Sequence, residues 1–272
     1  MAFKNHKKIN IGIFGFGNMG QAILRQLEQS AEVKKNLNFL VYSIGIKKTK
    51  NAACLNSFTE LIKKSDFIFL CVKPQNFYNL KTVAANDKTF ISIMAGVKIN
   101  NIKKIVNSRN IIRAMPNLPL VVGQGVIAWF ADEKKITKNK LIIVKKLFSI
   151  FGDNFKVERE ADLDKITAIS GSGPAYIFLF MDALIKASVN LGFSQKKAEQ
   201  IILQLMTGSI EYFKSVKNIY SLEKLIQMVK SKKGTTEAAL NKLNTTKFYK
   251  QWQLAISQAH KRAKQISNYD IK

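Results

Sequence analysis

Three glycines near the start of the chain constrain its fold more than any other feature. Gly15, Gly17 and Gly20 have the spacing G-x-G-x-x-G and lie between the apolar run "INIGIF" and the amphipathic run "MGQAILRQLEQ". In a strand, turn and helix of this kind, the first glycine permits the turn, the second lets a pyrophosphate approach the backbone, and the third allows close helix packing. The free N–H groups of the helix would face the phosphates. The spacing therefore favours a dinucleotide site over the alternative, a purely structural corner.

The end of the second predicted strand indicates which dinucleotide would bind. An acidic residue about 20 residues beyond the glycine turn would hold a ribose 2′-hydroxyl. The stretch "LVYSIGIKKTKNAA" has no Asp or Glu and instead offers Ser43 with Lys47, Lys48 and Lys50. A hydroxyl and positive charge suit a 2′-phosphate, so we expect NADPH as the cofactor, with NADH as the alternative. The competing interpretation is that these lysines are ordinary solvated surface residues.

Strand-like and helical segments alternate through the first half of the chain and then give way to helices alone. Runs such as "LNFLVYSI", "DFIFLCVKP" and "TFISIMAG" predict a parallel sheet with crossover helices. Gly152 is expected to end the helix "KNKLIIVKKLFSIFG". We therefore expect an α/β fold, with a Rossmann-type parallel sheet domain over residues 1–161 and an all-helical domain over residues 162–272. The helix that begins near Pro174 is apolar almost all round, which favours burial against a second subunit.

The strongly positive charge raises the question of a nucleic-acid partner. The chain carries 44 Lys and Arg against 18 Asp and Glu, a formal net charge of +26. The excess is almost all lysine and is scattered along the chain, and the codon usage of a low-GC genome would enrich lysine in the same way. Few arginines are present for bidentate contacts with bases or phosphates. We therefore expect no nucleic acid as the main partner, although anionic ligands should be attracted.

Hydropathy and cysteine usage bear on the compartment. The longest apolar run, Ala175 to Met181, is far shorter than the roughly 20 residues of a membrane span, so we expect no membrane contact. The start "MAFKNHKKIN" has no apolar segment and does not resemble a signal peptide. Cys54 and Cys71 are the two cysteines, and no disulfide is expected. These features favour the cytoplasm, and no metal site is predicted.

The scarcity of histidine narrows the reaction. His6 lies in the leading tail and His260 lies late in the last predicted helix, so neither is placed beside a nicotinamide. An alcohol dehydrogenase usually needs such a group to move a proton on oxygen. Hydride transfer to an already protonated imine needs mainly the cofactor, a carboxylate clamp and a donor near nitrogen. Imine reduction is therefore favoured over alcohol oxidation.

Six motifs, taken in order, resemble the pyrroline-5-carboxylate reductase family. They are "GFGNMGQAI", "CVKPQ", "SIMAGV", "IIRAMPNLP", "DKITAISGSGPAYIF" and "KGTTEAAL", and the resemblance extends from about Ile9 to Arg262. It implies a Rossmann domain, a helical domain that binds substrate and dimerises, often with higher assembly, and reduction of 1-pyrroline-5-carboxylate to proline with NAD(P)H.

The resemblance also assigns site residues. It places Gly15, Phe16, Gly17, Asn18 and Met19 in the phosphate-binding turn, Val72, Lys73 and Pro74 beside the cofactor, Asn117 near the nicotinamide, and Ala95 with Gly96 at the substrate. Independently of the family, Pro116 and Pro119 would stiffen the backbone around Asn117. The alternatives are a loop without a ligand at Asn117 and a simple small-residue turn at Ala95 and Gly96.

The substrate loop departs from the family pattern S-P-G-G-[TA]-T. Here the loop is "SKKGTT", so Ser231, Gly234, Thr235 and Thr236 match as substrate-binding residues while two lysines replace the proline and the first glycine. The resemblance implies that Thr236 hydrogen-bonds the substrate nitrogen, and we take it as the catalytic residue. A lysine at a position that demands positive φ would cost about 1–2 kcal/mol, so the loop is either strained or takes another path. The competing interpretation of this segment is a helix capped by Thr235 ahead of Glu237.

Rival functions share the same architecture. They are another imine reductase, a β-hydroxyacid or glycerol-phosphate dehydrogenase, and a regulator that binds NADPH without turnover. A hydroxyacid enzyme would need a catalytic lysine on the first helix of the second domain, where none occurs before Lys186. That absence disfavours the hydroxyacid reading.

Overall fold

A computed structural model describes residues 8–46 and 48–268. The strands are β1 Ile9–Phe14, β2 Leu37–Tyr42, β3 Ala53–Cys54, β4 Phe67–Leu70, β5 Thr89–Ser92, β6 Asn110–Met115, β7 Gly125–Ala131 and β8 Gly152–Lys156. In the part of the chain that the structure describes, they form an eight-stranded sheet of order β3-β2-β1-β4-β5-β6-β7-β8. All neighbouring pairs are parallel except β6 and β7. The predicted Rossmann-type architecture is confirmed.

Helices cover both faces of the sheet and then continue alone. The first seven are α1 Asn18–Gln29, α2 Ala31–Asn36, α3 Phe58–Lys64, α4 Pro74–Tyr78, α5 Ile99–Val106, α6 Lys138–Phe151 and α7 Asp162–Ile166. Five more follow within the described residues: α8 Gly173–Asn190, α9 Gln195–Val216, α10 Leu222–Val229, α11 Thr235–Leu243 and α12 Thr245–Ser267. Two buried apolar clusters pack on the sheet, one around α1 and α6 and the other around α3 and α5. The central strands are buried on both faces, as parallel sheets require.

One predicted helix end and two missed strands show what short-range sequence patterns reveal. Helix α6 ends at Gly152, whose φ of +134° only glycine adopts easily, as expected from the sequence. The sequence analysis missed β3 because it has only two residues. It also missed β8, which begins at Gly152 itself and has an exposed, polar sequence.

The chain divides into two compact units at a place that differs from the predicted boundary at residues 161 and 162. The first unit comprises the described residues up to Pro174 together with Gln258 to Asn268, and the second comprises Ala175–Ser257. Helix α7 belongs to the first unit because its Leu163 is buried in a cluster with Ala128 and Val157 of that unit. The end of α12 likewise returns to the first unit.

A buried ion network fixes that end of α12. Arg113 of β6 lies 3.1 Å from Asp164 through Nη2 and 3.4 Å from Glu160 through Nη1. The Ser267 hydroxyl donates to Asp164 Oδ1 at 2.6 Å, and the Ile99 N–H donates to Glu160 at 2.8 Å. The guanidinium is buried, so its charge depends on these carboxylates for compensation. Strand β6, the start of α5, α7 and the end of α12 are thereby joined.

The helical stretch Asp162–Asn190 is long and apolar enough to cross a membrane by length and composition alone, since it contains an 18-residue window with a mean hydropathy of 1.4. The uninterrupted apolar run Ala175 to Met181, on which the expectation of no membrane contact rests, is only part of this stretch. Buried core helices of other proteins meet the same test, and only 6% of the apolar window is buried within this chain. The question for this helix is therefore what covers it.

We expect Ser267→Ala to lower the free energy of unfolding by about 1–2 kcal/mol, because the buried Asp164 carboxylate loses a donor. Urea unfolding followed by circular dichroism measures the change. Ser257→Ala, an exposed serine on the same helix, is the matched control and should shift stability by no more than about 0.5 kcal/mol. Equal stability of the two variants would show that the Ser267 contact contributes nothing.

Candidate active site

The predicted cofactor residues lie at the carboxyl edge of the parallel strands. Gly15 to Met19 follow β1, Ser43 follows β2, Val72 to Pro74 follow β4, Ala95 and Gly96 lie beyond β5, and Asn117 lies beyond β6. Because these strands run parallel, their carboxyl ends meet at one edge, where open α/β sheets bind ligands. Lys47 lies outside the described residues. Lys48 and Lys50 are exposed, and Ser43 is half-buried.

The glycine turn is shaped by contacts that exclude side chains at two of its three glycines. Gly15 has φ +92°, and an added Cβ would lie 2.8 Å from the carbonyl of Cys71 at the end of β4. A Cβ on Gly20 would lie 2.2 Å from the carbonyl oxygen of Gly15. At Gly17, by contrast, a Cβ would meet nothing within 4 Å. Gly15 and Gly20 are thus required for the close packing of α1 on the strands, whereas Gly17 borders open space.

That open space lies at the amino end of α1. Gly17 is the N-cap, no side chain caps the helix, and the Gln21 N–H is the donor that reaches the Gly17 carbonyl at 3.0 Å. The N–H groups of Asn18 and Met19 precede that first helical hydrogen bond, so they point out of the helix toward the opening. An open cradle with unpaired donors and a positive helix end fits the pyrophosphate of a dinucleotide.

Asn117 has structural partners that the sequence did not reveal. Its Oδ1 accepts from the Val126 N–H at 2.8 Å, and its Nδ2 donates to Ser170 Oγ at 3.2 Å. The amide therefore ties the turn after β6 to β7 and to the π turn Thr167–Gly171. The contact of Asn117 with a nicotinamide stays a prediction. These two hydrogen bonds would hold the Asn117 side chain in place beside a bound nicotinamide.

A cavity of about 520 Å³ lies beside Ala95 and Gly96. Its walls include Pro74, Gln75, Tyr78, Ala95, Gly96 and Arg262. Gly96 has φ +77°, and a Cβ there would lie 2.4 Å from Ile266 in the last turn of α12. The sequence analysis missed Arg262 and Ile266, since no short-range pattern links the end of the chain to a turn after β5. A mostly apolar pocket of this size, with Arg262 among its lining residues, is large enough for a small substrate that carries a carboxylate.

The substrate loop belongs to the second unit. Lys233 has φ +59°, so the replaced glycine position does demand the left-handed region and the loop is strained there by about 1–2 kcal/mol. Helix α11 begins at Thr235 with Gly234 as its N-cap. The alternative that Thr235 caps this helix is therefore wrong. The Gly234 N–H donates to the Ser231 carbonyl at 3.0 Å, and Thr236 is half-buried.

Glu237 closes the same loop from the first turn of α11. Its Oε2 accepts from the Lys233 N–H at 2.8 Å, and its Oε1 lies 3.1 Å from Lys230 Nζ. The Lys233 N–H and then Lys230 hold the pKa of the Glu237 carboxyl below its usual range. A lowered pKa means that this contact is complete at neutral pH and weakens only as pH falls through the lowered value.

Taken together, these features define a class: the dinucleotide-dependent oxidoreductases with a Rossmann-type domain. Within that class, the chain is 31% identical over 274 residues to the pyrroline-5-carboxylate reductase of Staphylococcus epidermidis, covering 94% of this chain and 97% of the relative. It is 31% identical to the enzyme of that name from Aquifex aeolicus, covering 95% and 97%. The chain belongs to the pyrroline-5-carboxylate reductase family.

Family models and solved structures agree with this assignment. Residues 160–266 match the family described as pyrroline-5-carboxylate reductase dimerisation, and residues 10–96 match NADP oxidoreductase coenzyme F420-dependent. The Plasmodium falciparum pyrroline carboxylate reductase with NADP bound superposes with a TM-score of 0.85 at 28% identity, covering 97% of this chain and all of that one. The Streptococcus pyogenes 1-pyrroline-5-carboxylate reductase also gives 0.85 at 28% identity, covering 95% and 99%.

Two glycine substitutions separate packing from ligand binding. Gly20→Ala should destabilise the fold by at least about 2 kcal/mol, because its Cβ would overlap the Gly15 carbonyl. Gly17→Ala should change stability by less than about 1 kcal/mol, because its Cβ would enter open space. Thermal unfolding of both variants without cofactor tests the difference. Similar melting temperatures would contradict this description of the turn.

Proposed function

We propose that the chain reduces 1-pyrroline-5-carboxylate to L-proline with a hydride from NADPH, the last step of proline biosynthesis. The observation that carries the proposal is the match to reductases of that name over 94% of the chain, on a fold with an open glycine cradle. The strained substrate loop supports the same assignment, since its backbone keeps the left-handed residue despite the change to lysine.

The cofactor residues have separate tasks. NADPH, when bound, supplies the hydride that the imine carbon receives. The amino end of α1, at Gly17 to Met19, would hold the pyrophosphate through backbone N–H groups. Ser43 and the lysines after β2 would hold the 2′-phosphate, and no carboxylate in "SIGIKKTK" would repel it. The segment Val72 to Pro74 and the Asn117 amide would border the nicotinamide.

The substrate residues act through hydrogen bonds and shape. The N–H groups at the start of α11, with the hydroxyls of Ser231 and Thr235, would hold the substrate carboxylate. The Thr236 hydroxyl would accept a hydrogen bond from the N–H of the protonated ring nitrogen. Ala95 and Gly96 offer a turn without bulky side chains where a planar ring can approach closely. The arrangement needs no histidine.

The chain forms a homo-oligomer through its second unit. In the described residues 175–257 only Ala198 and Ile202 are buried, while Ile177, Phe178 and Leu179 of α8 are exposed. We propose that a second copy, and not a bilayer, covers α8. Asp182 and Lys186 lie on this helix as an exposed ion pair, and charges within a membrane span are costly. A cytoplasmic location without a nucleic-acid partner is part of the same proposal.

The function is tested by following the loss of nicotinamide absorbance with 1-pyrroline-5-carboxylate and either NADPH or NADH. We expect turnover when 1-pyrroline-5-carboxylate and a reduced cofactor are both present. The KM for NADPH should be lower than the KM for NADH, because the lysines after β2 favour the 2′-phosphate. Gly17→Ala should raise the KM for NADPH by about tenfold or more, because its methyl group would occupy the pyrophosphate cradle. Tight NADPH binding without any turnover would instead identify a non-catalytic regulator.

Thr236→Ala should lower kcat/KM for 1-pyrroline-5-carboxylate by about tenfold to a hundredfold, since a hydrogen bond to a charged partner contributes about 1.5–3 kcal/mol. Thr236→Ser keeps the hydroxyl and should retain most of the activity. Steady-state kinetics at saturating NADPH make the comparison. An alanine variant as active as the wild type would remove Thr236 from the mechanism.

A further inference from the structure

The substrate loop holds a lysine where its family pattern has glycine. Lys233 lies in the left-handed region at φ +59°, between the exposed Lys232 and Gly234. Lysine does not favour this region, because its Cβ crowds the following carbonyl. Some other contact in the loop must therefore offset the strain and keep the residue in place.

Glu237 makes that contact. Its carboxylate accepts the N–H of the strained residue itself at 2.8 Å and also lies 3.1 Å from Lys230 Nζ, on the other side of the loop. One side chain thus joins the segment before the loop to the residue with positive φ. Both members of the ion pair are less than a third exposed, so water only partly competes with them.

The position of Lys233 controls the residues that follow it. Gly234 packs so closely that a Cβ there would lie 2.2 Å from Ser231 Oγ, and its N–H bonds the Ser231 carbonyl. A change of φ at Lys233 would break this contact and shift the N-cap of α11. Thr235 and Thr236 would move with it.

We infer that Glu237 is a positioning residue for the substrate loop: by holding Lys233 in the left-handed conformation, it presents Thr235 and Thr236 as a glycine loop would. This inference rests on the proposed function, in which the loop binds the substrate. The backbone hydrogen bond is the main part of the effect, since a partly exposed ion pair contributes little by itself.

The test is a cycle of full-length variants: Glu237→Ala, Lys233→Gly and the double variant, with Glu237→Gln added. Glu237→Ala should raise the KM for 1-pyrroline-5-carboxylate about tenfold and leave the KM for NADPH unchanged, because it loosens only the substrate loop. The double variant should recover to within about threefold of the wild type, because glycine adopts positive φ without help. Glu237→Gln keeps an acceptor for the N–H and should lose less than Glu237→Ala.

Glu211→Ala is the matched control. Glu211 also pairs with a lysine, Lys214 on α9 at 2.8 Å, but this pair is more exposed and lies outside the substrate loop, so its removal should leave both KM values unchanged. Normal kinetics in Glu237→Ala would overturn the inference. A defect that Lys233→Gly fails to rescue would also overturn it, because the glutamate would then act through its charge and not by holding the lysine.

Hydrogen exchange separates failure of this inference from failure of the proposed function. Without any substrate, the Lys233 amide should exchange faster in Glu237→Ala than in the wild type, because its acceptor is gone. Unchanged exchange overturns the inference whatever the activity. An inactive wild type that still shows the faster exchange in the variant would overturn the proposed function and leave the holding role of Glu237 supported.

Discussion

The fold and its site depend on how closely the backbone of α1 approaches the end of β1. A Cβ at Gly20 would lie 2.2 Å from the Gly15 carbonyl oxygen, so only a glycine at this position allows α1 to pack this closely against the end of β1. Once it does, the helix buries Ile23 and Leu27 on the sheet. The same approach directs the amino end of α1 to the carboxyl edge of the strands. One steric condition therefore sets both the packing of the core and the direction of the helix dipole.

The net charge of the chain and the geometry of its backbone contribute differently to ligand binding. Both expected ligands carry anionic groups, the phosphates of NADPH and the carboxylate of the substrate, and a chain of net charge +26 attracts such groups over its whole surface without choosing among them. In the proposed function, selection falls to fixed donors: the helix end at Gly17 in the first unit and the loop before α11 in the second. The buried Arg113 shows the opposite use of a cation, since Asp164 and Glu160 enclose it and it stabilises the fold. Only charges that stay near solvent are free to attract ligands.

Local rules predicted much of the structure, and long-range contacts account for most of what they missed. The glycine turn and the end of α6 at Gly152 each depend on a few neighbouring residues, and the structure has both; the sequence left open whether the loop at Lys233 is strained, and its φ of +59° shows that it is. The return of Ile266 to Gly96 and of Ser267 to Asp164 joins residues more than 100 positions apart, and nothing in the local sequence signals it. The family resemblance identifies Asn117, but its hydrogen-bond partners Val126 and Ser170 follow only from the fold.

The exposed apolar helices of the second unit have a consequence for the amount of protein in the cell. Only Ala198 and Ile202 are buried within the described residues 175–257, so in the proposed homo-oligomer this unit would bury most of its apolar surface against a second copy. Its folding is then a bimolecular equilibrium, governed by mass action. For a dimer, each tenfold dilution removes about 1.4 kcal/mol of stability per mole of assembled protein. The concentration of the protein in the cell would therefore affect how well this unit folds. At low concentration, newly made chains would have an incompletely folded helical unit until they associate.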